Sequence, residues 1–262
     1  METQRQLIIS GTLFDIDYQN KEFIEVDNRQ NRISFDKLSE RDGFYEGLYH
    51  MTDKNCLSRN VSVGDVYFDE EVTEIRIPKR IMDNDYPDQN TARAINDESY
   101  LNDYGVLVMD DRIANRLQGM LPRIDIAGDT FIVDWRLQEL RHEHDLSSII
   151  NLKFLPVSSD GNSYLSYYHV VSKQTVQPDP DIREMPPHVV MIEIPGEMTL
   201  DPVGVARQYG LKDTQLLRTY PIRDHLKATV KPLSETPLKE PVEKNKQQRQ
   251  SKGYRKSRGR KL

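Results

Sequence analysis

The sequence predicts an α+β fold of two similar, mainly antiparallel-strand units with short helices, followed by a disordered basic tail. Three observations lead there: segments in which apolar and polar residues alternate, local matches between the two halves of the chain, and a proline-containing end rich in Lys and Arg. Alternation with a period of two indicates strands with one buried face. The predicted units are residues 1–105 and 106–227, and residues 228–262 are predicted to be a flexible linker and basic arm.

Two pairs of alternating segments predict β-hairpins. Residues 12–17 and 23–27 are separated by the turn-forming residues 19–21, and residues 123–126 and 130–135 are separated by Ala-Gly-Asp. Single strands are predicted over 163–171, after a turn rich in Ser, Asp and Gly, and over 189–194, which Pro195 and Gly196 end.

Helices are predicted at three places. Residues 110–117 have Asp110 or Asp111 as an N-cap, and residues 137–142 form a weaker pattern. The best pattern covers 202–209, because Asp201 can cap this helix, Pro202 suits its first turn and Gly210 suits the left-handed position after its end.

The local matches predict an internal duplication, with copies over about 1–105 and 115–226. An alternative is that hairpins and strands ending at proline look alike in any α+β protein. The matches occur in the same order in both halves: 13–17 with 121–125, 23–27 with 131–134, 48–50 with 167–169, 75–78 with 192–195, and 92–93 with 206–207.

The composition argues against a membrane protein. Hydrophobic residues make up 37% of the chain, below the usual ~45–50%, and there is no run of eighteen apolar residues. The N-terminus METQRQLIIS is too polar for a signal peptide, and the single Cys56 excludes an internal disulfide. We therefore expect a soluble, cytoplasmic protein that makes no membrane contact.

Charge is divided unequally along the chain. Residues 244–262 contain nine Lys or Arg and no acid, so the remainder holds 36 − 9 = 27 basic and 42 acidic side chains, a net charge of 27 − 42 = −15. A basic segment of this density is typical of nucleic-acid contacts.

The arm is accordingly predicted to bind DNA or RNA through phosphate. Its end, Ser257-Arg-Gly-Arg-Lys261, is similar to the tails of accessory proteins of mobile genetic elements. A solubilising tail, a targeting signal, and an arm that docks on the acidic body are the alternatives. The predicted contact residues, with Tyr254 stacking on an unpaired base, are Lys244, Lys246, Arg249, Lys252, Tyr254, Arg255, Lys256, Arg258, Arg260 and Lys261.

Residues 202–219 resemble the DNA-binding helix-turn-helix pattern. Ala206 stands where two helices would cross, Gly210 stands in the turn, and Leu216 follows as an apolar anchor. By this resemblance a second helix over 214–219 would present Lys212, Thr214, Gln215 and Arg218 to DNA. Asp213, Thr219 and Pro221 depart from the pattern, and an ordinary helical corner is the alternative.

No motif supports an enzyme. The chain lacks the Gly-rich phosphate loops and the Gly-x-Ser-x-Gly elbow, so we expect a non-enzymatic protein without cofactor or metal. Three weaker alternatives remain: a zinc site at His142 and His144 with His169 or Asp145, a carboxylate pair among Asp110, Asp125 and Asp134, and a reactive Cys56 thiol.

The aromatic segment 164–169 allows two interpretations. Strand alternation places Tyr164 and Tyr168 on one face and Leu165 and Tyr167 on the other. One buried and one amphipathic face is the simpler interpretation, and a stacking platform for bases is the functional one. The sequence thus predicts a nucleic-acid-associated accessory protein, with a protein–protein adaptor or structural component using its acidic body as the alternative.

Overall fold

The computed structural model describes residues 5–66, 69–82, 86–145 and 147–258, with the backbone alone described for 249–258. It is a mixed α+β structure with several antiparallel sheets and short helices, as predicted. Two compact units are formed, Met1–Met120 with Pro202–Arg223 and Leu121–Asp201 with Asp224–Leu262. The units thus differ from the predicted division at 105 and 227, because residues 202–223 pack with the first unit.

Unit 1 contains two antiparallel sheets. One has the order β4-β3-β2-β1-β9, and in the other β6 pairs with β5, β7 and β8. The strands are β1 (Gln6–Ile9), β2 (Thr12–Asp17), β3 (Glu22–Glu25), β4 (Arg32–Ser34), β5 (Ser39–Arg41), β6 (Phe44–His50), β7 (Asn55–Cys56), β8 (Val72–Pro78) and β9 (Val106–Val108).

The alternation of apolar and polar residues on β2 buries the apolar ones in the core of unit 1, as predicted for a strand with one buried face. Phe14 and Ile16 on β2 are buried, and they pack with Phe23 on β3 and Tyr49 on β6. Burying such side chains contributes about 1.5–3 kcal/mol each. The first predicted hairpin is confirmed as β2–β3.

Three helices belong to the first 120 residues: α1 (Lys79–Met82), α2 (Gln89–Asn102) and α3 (Asp111–Leu117). The predicted helix at α3 is confirmed, and the side chain of Asp110 caps it by accepting from the Ile113 amide. The sequence did not indicate α2, because its buried stripe carries Asn96 and Ser99 beside Ile95. Both polar side chains bond to β9, which makes their burial tolerable.

Unit 2 also contains two sheets, ordered β13-β12-β11-β10-β17 and β15-β14-β16-β18. β17 pairs with β10 in parallel, and the other pairings are antiparallel. The strands are β10 (Arg123–Ile126), β11 (Asp129–Asp134), β12 (Glu139–His142), β13 (Ile149–Asn151), β14 (Ser163–His169), β15 (Gln174–Val176), β16 (Val189–Pro195), β17 (Leu226–Lys227) and β18 (Thr229–Pro232).

The second hairpin and the strands at 163–171 and 189–194 are confirmed as β10–β11, β14 and β16. The helix predicted over 137–142 is wrong. Gln138 has a positive φ of 55°, which reverses the chain, and Leu140 and His142 then bury one face of strand β12 against β11.

The α-helices described after residue 145 are α4 (Glu197–Leu200), α5 (Pro202–Gln208) and α6 (Lys239–Arg258). α5 confirms the predicted helix, and Gly210 follows it with a φ of +68°. Val203 of α5 packs in unit 1 with Ile8, Leu107 and Leu217. This apolar contact is why residues 202–223 belong to unit 1.

The flexible linker predicted from residue 228 onward is wrong for residues 229–248. Residues 229–232 form the edge strand β18, and α6 begins at Lys239. Proline is compatible with both elements, because Pro232 ends an edge strand and Pro241 lies in a first helical turn, where no amide bond is needed. The prediction for residues 259–262 falls outside the described part of the chain.

The predicted internal duplication is not confirmed, and its first match has the wrong register. Residues 13–17 lie on β2, which follows β1 after a two-residue turn, whereas residues 123–125 lie on β10, which precedes a two-residue turn. By its place after a two-residue turn, the strand that corresponds to β2 is β11.

The two-residue turns of the β1–β2 and β10–β11 hairpins provide a matched test of packing in unit 1. Gly11 and Gly128 both follow a residue of positive φ and have φ of +82° and +94°. A Cβ on Gly11 would lie 2.9 Å from the Cα of Gln215, whereas one on Gly128 would have nothing within 4 Å. We expect Gly128→Ala to cost about 1–2 kcal/mol from backbone strain. Gly11→Ala should cost about 1–3 kcal/mol more, because backbone must move.

Urea unfolding, with hydrogen exchange resolved for each hairpin, measures the loss in free energy of unfolding for both variants. Gly128→Ala is the control that measures the cost of positive φ alone. Equal losses in the two variants would show that residues 212–217 do not pack on the Gly11 turn.

Candidate nucleic-acid interface

The start of α6 is anchored by a small apolar cluster in unit 2. Leu233, Leu238 and Val242 are 5–7% exposed and pack against Tyr167 and Val189, among others. At about 1.5–3 kcal/mol for each side chain, this burial offsets part of the backbone entropy lost on ordering the segment. The sequence carries no local signal of this anchor, because the three residues are spread over a segment with three prolines.

Asn245 adds a polar attachment one turn further along α6. Its Nδ2 donates to the carbonyl oxygens of Pro180 and Ile182 at 3.0 and 2.9 Å. The first part of α6 is therefore held by apolar packing and by hydrogen bonds, and this part includes the first predicted contact residues.

The basic residues of the arm follow this anchor. Lys244 and Lys246 are exposed. Six further predicted contacts lie on the helical backbone of α6, and their side chains are outside the description: Arg249, Lys252, Tyr254, Arg255, Lys256 and Arg258. Arg260 and Lys261 lie outside the described residues.

The second helix of the predicted helix-turn-helix is wrong. Residues 213–219 form hydrogen-bonded turns, in which Gln215 and Leu217 donate their amides to the carbonyls of Lys212 and Thr214. These bonds span three residues, as in isolated turns, whereas an α-helix needs bonds that span four. With Pro221 close behind, too few residues remain to continue a helix.

The four DNA contacts predicted within residues 202–219 all have partners within unit 1. Lys212 pairs with Asp27 at 2.5 Å, and the buried Thr214 hydroxyl donates to the Gly11 carbonyl at 2.6 Å. The backbone of Gln215 contacts the Gly11 turn, and its side chain is exposed.

Arg218 makes the most contacts of the four. Its Nε and Nη2 donate to the Asp103 carboxylate at 3.1 Å each, and its Nη1 and Nη2 reach the hydroxyls of Ser10 and Thr73. A guanidinium held by a bidentate carboxylate has fewer donors left for phosphate.

Lys212 also belongs to a charged cluster around Glu25 that the sequence did not indicate. Glu25 on β3 is 2% exposed and accepts from Asn31 at 3.0 Å and Lys54 at 2.9 Å, with the Lys212 Nζ at 3.7 Å. Burial raises the pKa of Glu25, but these hydrogen bonds and the charges of Lys54 and Lys212 outweigh it, and the net pKa is lowered. Lys212 thus serves two carboxylates.

The weaker enzymatic and metal alternatives find no assembled site in the described residues. His142 is buried, and its Nε2 lies 2.9 Å from Lys173 Nζ and 3.4 Å from Asp129. His169 contacts Ser172 instead. No group of three or more potential ligands is close enough to hold a metal ion in the part of the chain that is described.

The carboxylates and the thiol have structural surroundings. Asp110 is 1% exposed and caps α3, while Asp125 and Asp134 accept amides of the turns that follow their strands. Burial raises the pKa of the Cys56 thiol to about 12, so little thiolate forms at neutral pH.

Strand β14 separates its aromatic residues between two faces. Tyr168 is fully buried in unit 2, whereas Leu165 and Tyr167 are half-buried and line a groove on the opposite face. The expected buried and amphipathic faces are therefore both present.

No protein-family model, no curated protein and no solved structure matches the chain. Across the described residues, none of the helices combines the length and apolar character that crossing a membrane requires.

The Glu25 cluster gives unit 1 a defined pH dependence. Because the folded pKa of Glu25 lies below its ordinary value of 4.5, its stabilisation is present above that pH and is lost as pH falls through the folded pKa. We expect Glu25→Gln to lower the free energy of unfolding at pH 7 by about 1–3 kcal/mol and to reduce the further loss on acidification.

Denaturant unfolding between pH 7 and pH 3 tests this, with Glu22→Gln as the control. Glu22 lies on the same strand, but its partner Arg32 is half exposed, so this pair contributes little. A Glu25→Gln protein as stable at pH 7 as the Glu22→Gln control would contradict a stabilising cluster.

Proposed function

We propose that this chain is a non-enzymatic nucleic-acid-associated accessory protein that binds the phosphates of DNA or RNA through its C-terminal basic arm. One observation carries the proposal: nine Lys or Arg and no acid occur over residues 244–262, directly after the anchored start of α6. Anchoring and charge together distinguish this segment from a solubilising tail, which needs no attachment.

The charge balance favours contact at the arm rather than elsewhere. The rest of the chain has a net charge of −15, by the arithmetic given above, and repels phosphate at long range. Lys212 and Arg218 are paired with carboxylates, so the proposal gives the corner a smaller part than the arm. Binding then depends on release of counterions by the arm, and it weakens steeply with salt.

The helix gives the basic residues a useful reach. Residues 244–258 of α6 span about 21 Å at 1.5 Å per residue. That length corresponds to several phosphates along one strand, which are spaced about 3.4 Å apart along the duplex axis. Arg side chains in this segment can hold phosphate oxygens bidentately, and Tyr254 can stack on an unpaired base.

A protein–protein adaptor or structural component is the second candidate. The acidic surface of the body and exposed apolar side chains such as Leu101, 86% exposed, favour it. In that case the arm contacts an acidic patch of a protein, and a cytoplasmic location suits both candidates.

We also infer that the two units descend from one duplicated unit, in the register of the sequence match between 48–50 and 167–169 and not in that of the match between 13–17 and 121–125. Tyr49 and Tyr168 are both fully buried, each is the sixth residue of its strand, and each pairs with the second residue of the neighbouring strand. Lys54 and Lys173 both follow these strands with positive φ. These positions in the strands agree with the sequence match of 48–50 with 167–169.

The test removes the charge of the arm from the full-length chain. Replacing all nine Lys and Arg of 244–262 by Gln should abolish binding of labelled DNA or RNA in fluorescence anisotropy. For the native chain, the logarithm of the binding constant should fall with that of salt with a slope of up to about −8 on a duplex.

The control replaces two exposed cations of unit 1, Lys21→Gln and Arg41→Gln, and should bind as the native chain does. A truncated chain that lacks the arm should end at Glu243 and not as early as Lys231. Leu233, Leu238 and Val242 belong to the folded unit and must be kept. Failure of the native chain to bind either nucleic acid at low salt would refute the proposal and favour the adaptor.

A further inference from the structure

A groove on unit 2 lies beside the start of α6. It has a volume of about 530 Å³, within the range of sites for small organic groups. Phe154, Leu165, Tyr167 and Met191 supply apolar and aromatic surface, and no charged side chain is among its described lining residues. In a chain with 30% charged residues, a neutral lining of this size needs an explanation.

The groove also carries a polar group suited to hydrogen bonding. Gln177 lines it, and its side-chain amide forms no hydrogen bond with the described part of the chain. A neutral wall with an unused amide group fits a flat, uncharged partner that has donors and acceptors at its edge.

The fold does not by itself impose this chemistry. Unit 1 has a smaller depression, of about 210 Å³, between the turn after β4 and strands β6, β7 and β8. Its lining includes Lys37, Glu46, Arg59 and Glu74. The place in the fold that is charged in unit 1 is therefore apolar in unit 2.

Exposure of the aromatic side chain points to a binding role. Phe154 is 81% exposed at the end of the turn Leu152–Phe154, so it stabilises unit 2 little by burial. An exposed aromatic beside a half-buried Tyr167 leaves ring surface on which another ring can stack.

The groove and the anchor of α6 share residues. Pro237, two residues before α6, lines the groove, and Tyr167 packs against the Leu233–Leu238–Val242 cluster. Neutral stacking surface is thus continuous with the point from which the positive charges extend. Single-stranded nucleic acid has the complementary division, with neutral bases and an anionic backbone.

We propose that this groove binds unpaired bases of a single strand whose phosphates contact α6, with Phe154 and Tyr167 stacking on the bases. The inference rests on the proposed function and adds to it a preference for unpaired nucleic acid. A duplex keeps its bases stacked on one another, so it can use the helix but not the groove.

The experiment compares a labelled single strand of about 20 nucleotides, longer than most such sites, with a duplex of the same sequence. Full-length protein is titrated by fluorescence anisotropy at two salt concentrations. Phe154→Ala should weaken single-strand binding by about fivefold to a hundredfold and leave duplex binding unchanged. Because Phe154 is exposed, this variant should retain the thermal stability of the native chain.

Tyr209→Ala is the matched control, since Tyr209 is an aromatic residue of unit 1 that is 63% exposed and is not among the described residues that line the groove. It should bind both nucleic acids as the native chain does. A second measurement uses a single strand with photoreactive 4-thiothymidine, whose cross-links should map within residues 149–178.

The outcomes separate the two proposals. If both nucleic acids bind through the arm but Phe154→Ala binds the single strand normally, the groove inference is overturned and the proposed function stands. If neither nucleic acid binds the native chain at low salt, both are overturned. Equal weakening on duplex and single strand would also overturn base binding, because a duplex offers no unpaired base.

Discussion

The place of the basic helix depends on the burial of three apolar side chains that precede its charges. After Val242, the only large side chain in α6 with an apolar ring is Tyr254, so the charged part of the helix has no face that could pack on a sheet. Leu233, Leu238 and Val242 provide that packing for the whole segment. A helix fixed at one end loses less freedom on binding than a free tail, and more of the phosphate attraction then contributes to affinity.

Residues 202–223 show why a local motif can match at single positions and still be wrong about an element, here the second helix. Ala206 is fully buried and Gly210 has positive φ, as a helix-turn-helix requires, but the fully buried leucine is Leu217 and not the predicted anchor Leu216. The same properties suit a helix followed by tight turns that pack on Ile8 and Leu107. What separates the two structures is hydrogen bonding after Lys212, where the amides of Gln215, Leu217 and Thr219 make bonds that span three residues and that of Tyr220 alone makes one that spans four.

Local patterns were sufficient for some elements and insufficient for others. The two hairpins, α3 and α5 follow from alternation, caps and turn residues within a few positions of one another. α2 does not, because Asn96 and Ser99 occupy its core face and become acceptable only through bonds to β9. The charge of the arm was evident from the sequence, whereas its anchor and the Glu25–Lys212 contact join residues that are far apart in the chain.

The acidic body and the basic arm of this chain also limit the class of partner that it can bind. An acidic protein and a nucleic acid are both attracted by nine cations, so the arm alone does not distinguish them. The groove does, because carboxylates gain nothing from a neutral apolar wall and lose hydration there, whereas the face of a base loses little. In the binding mode that we propose, charge on α6 supplies long-range attraction that salt weakens, and the groove supplies short-range selection that salt changes little. A partner that is held by both must combine anionic and neutral aromatic groups along one flexible strand.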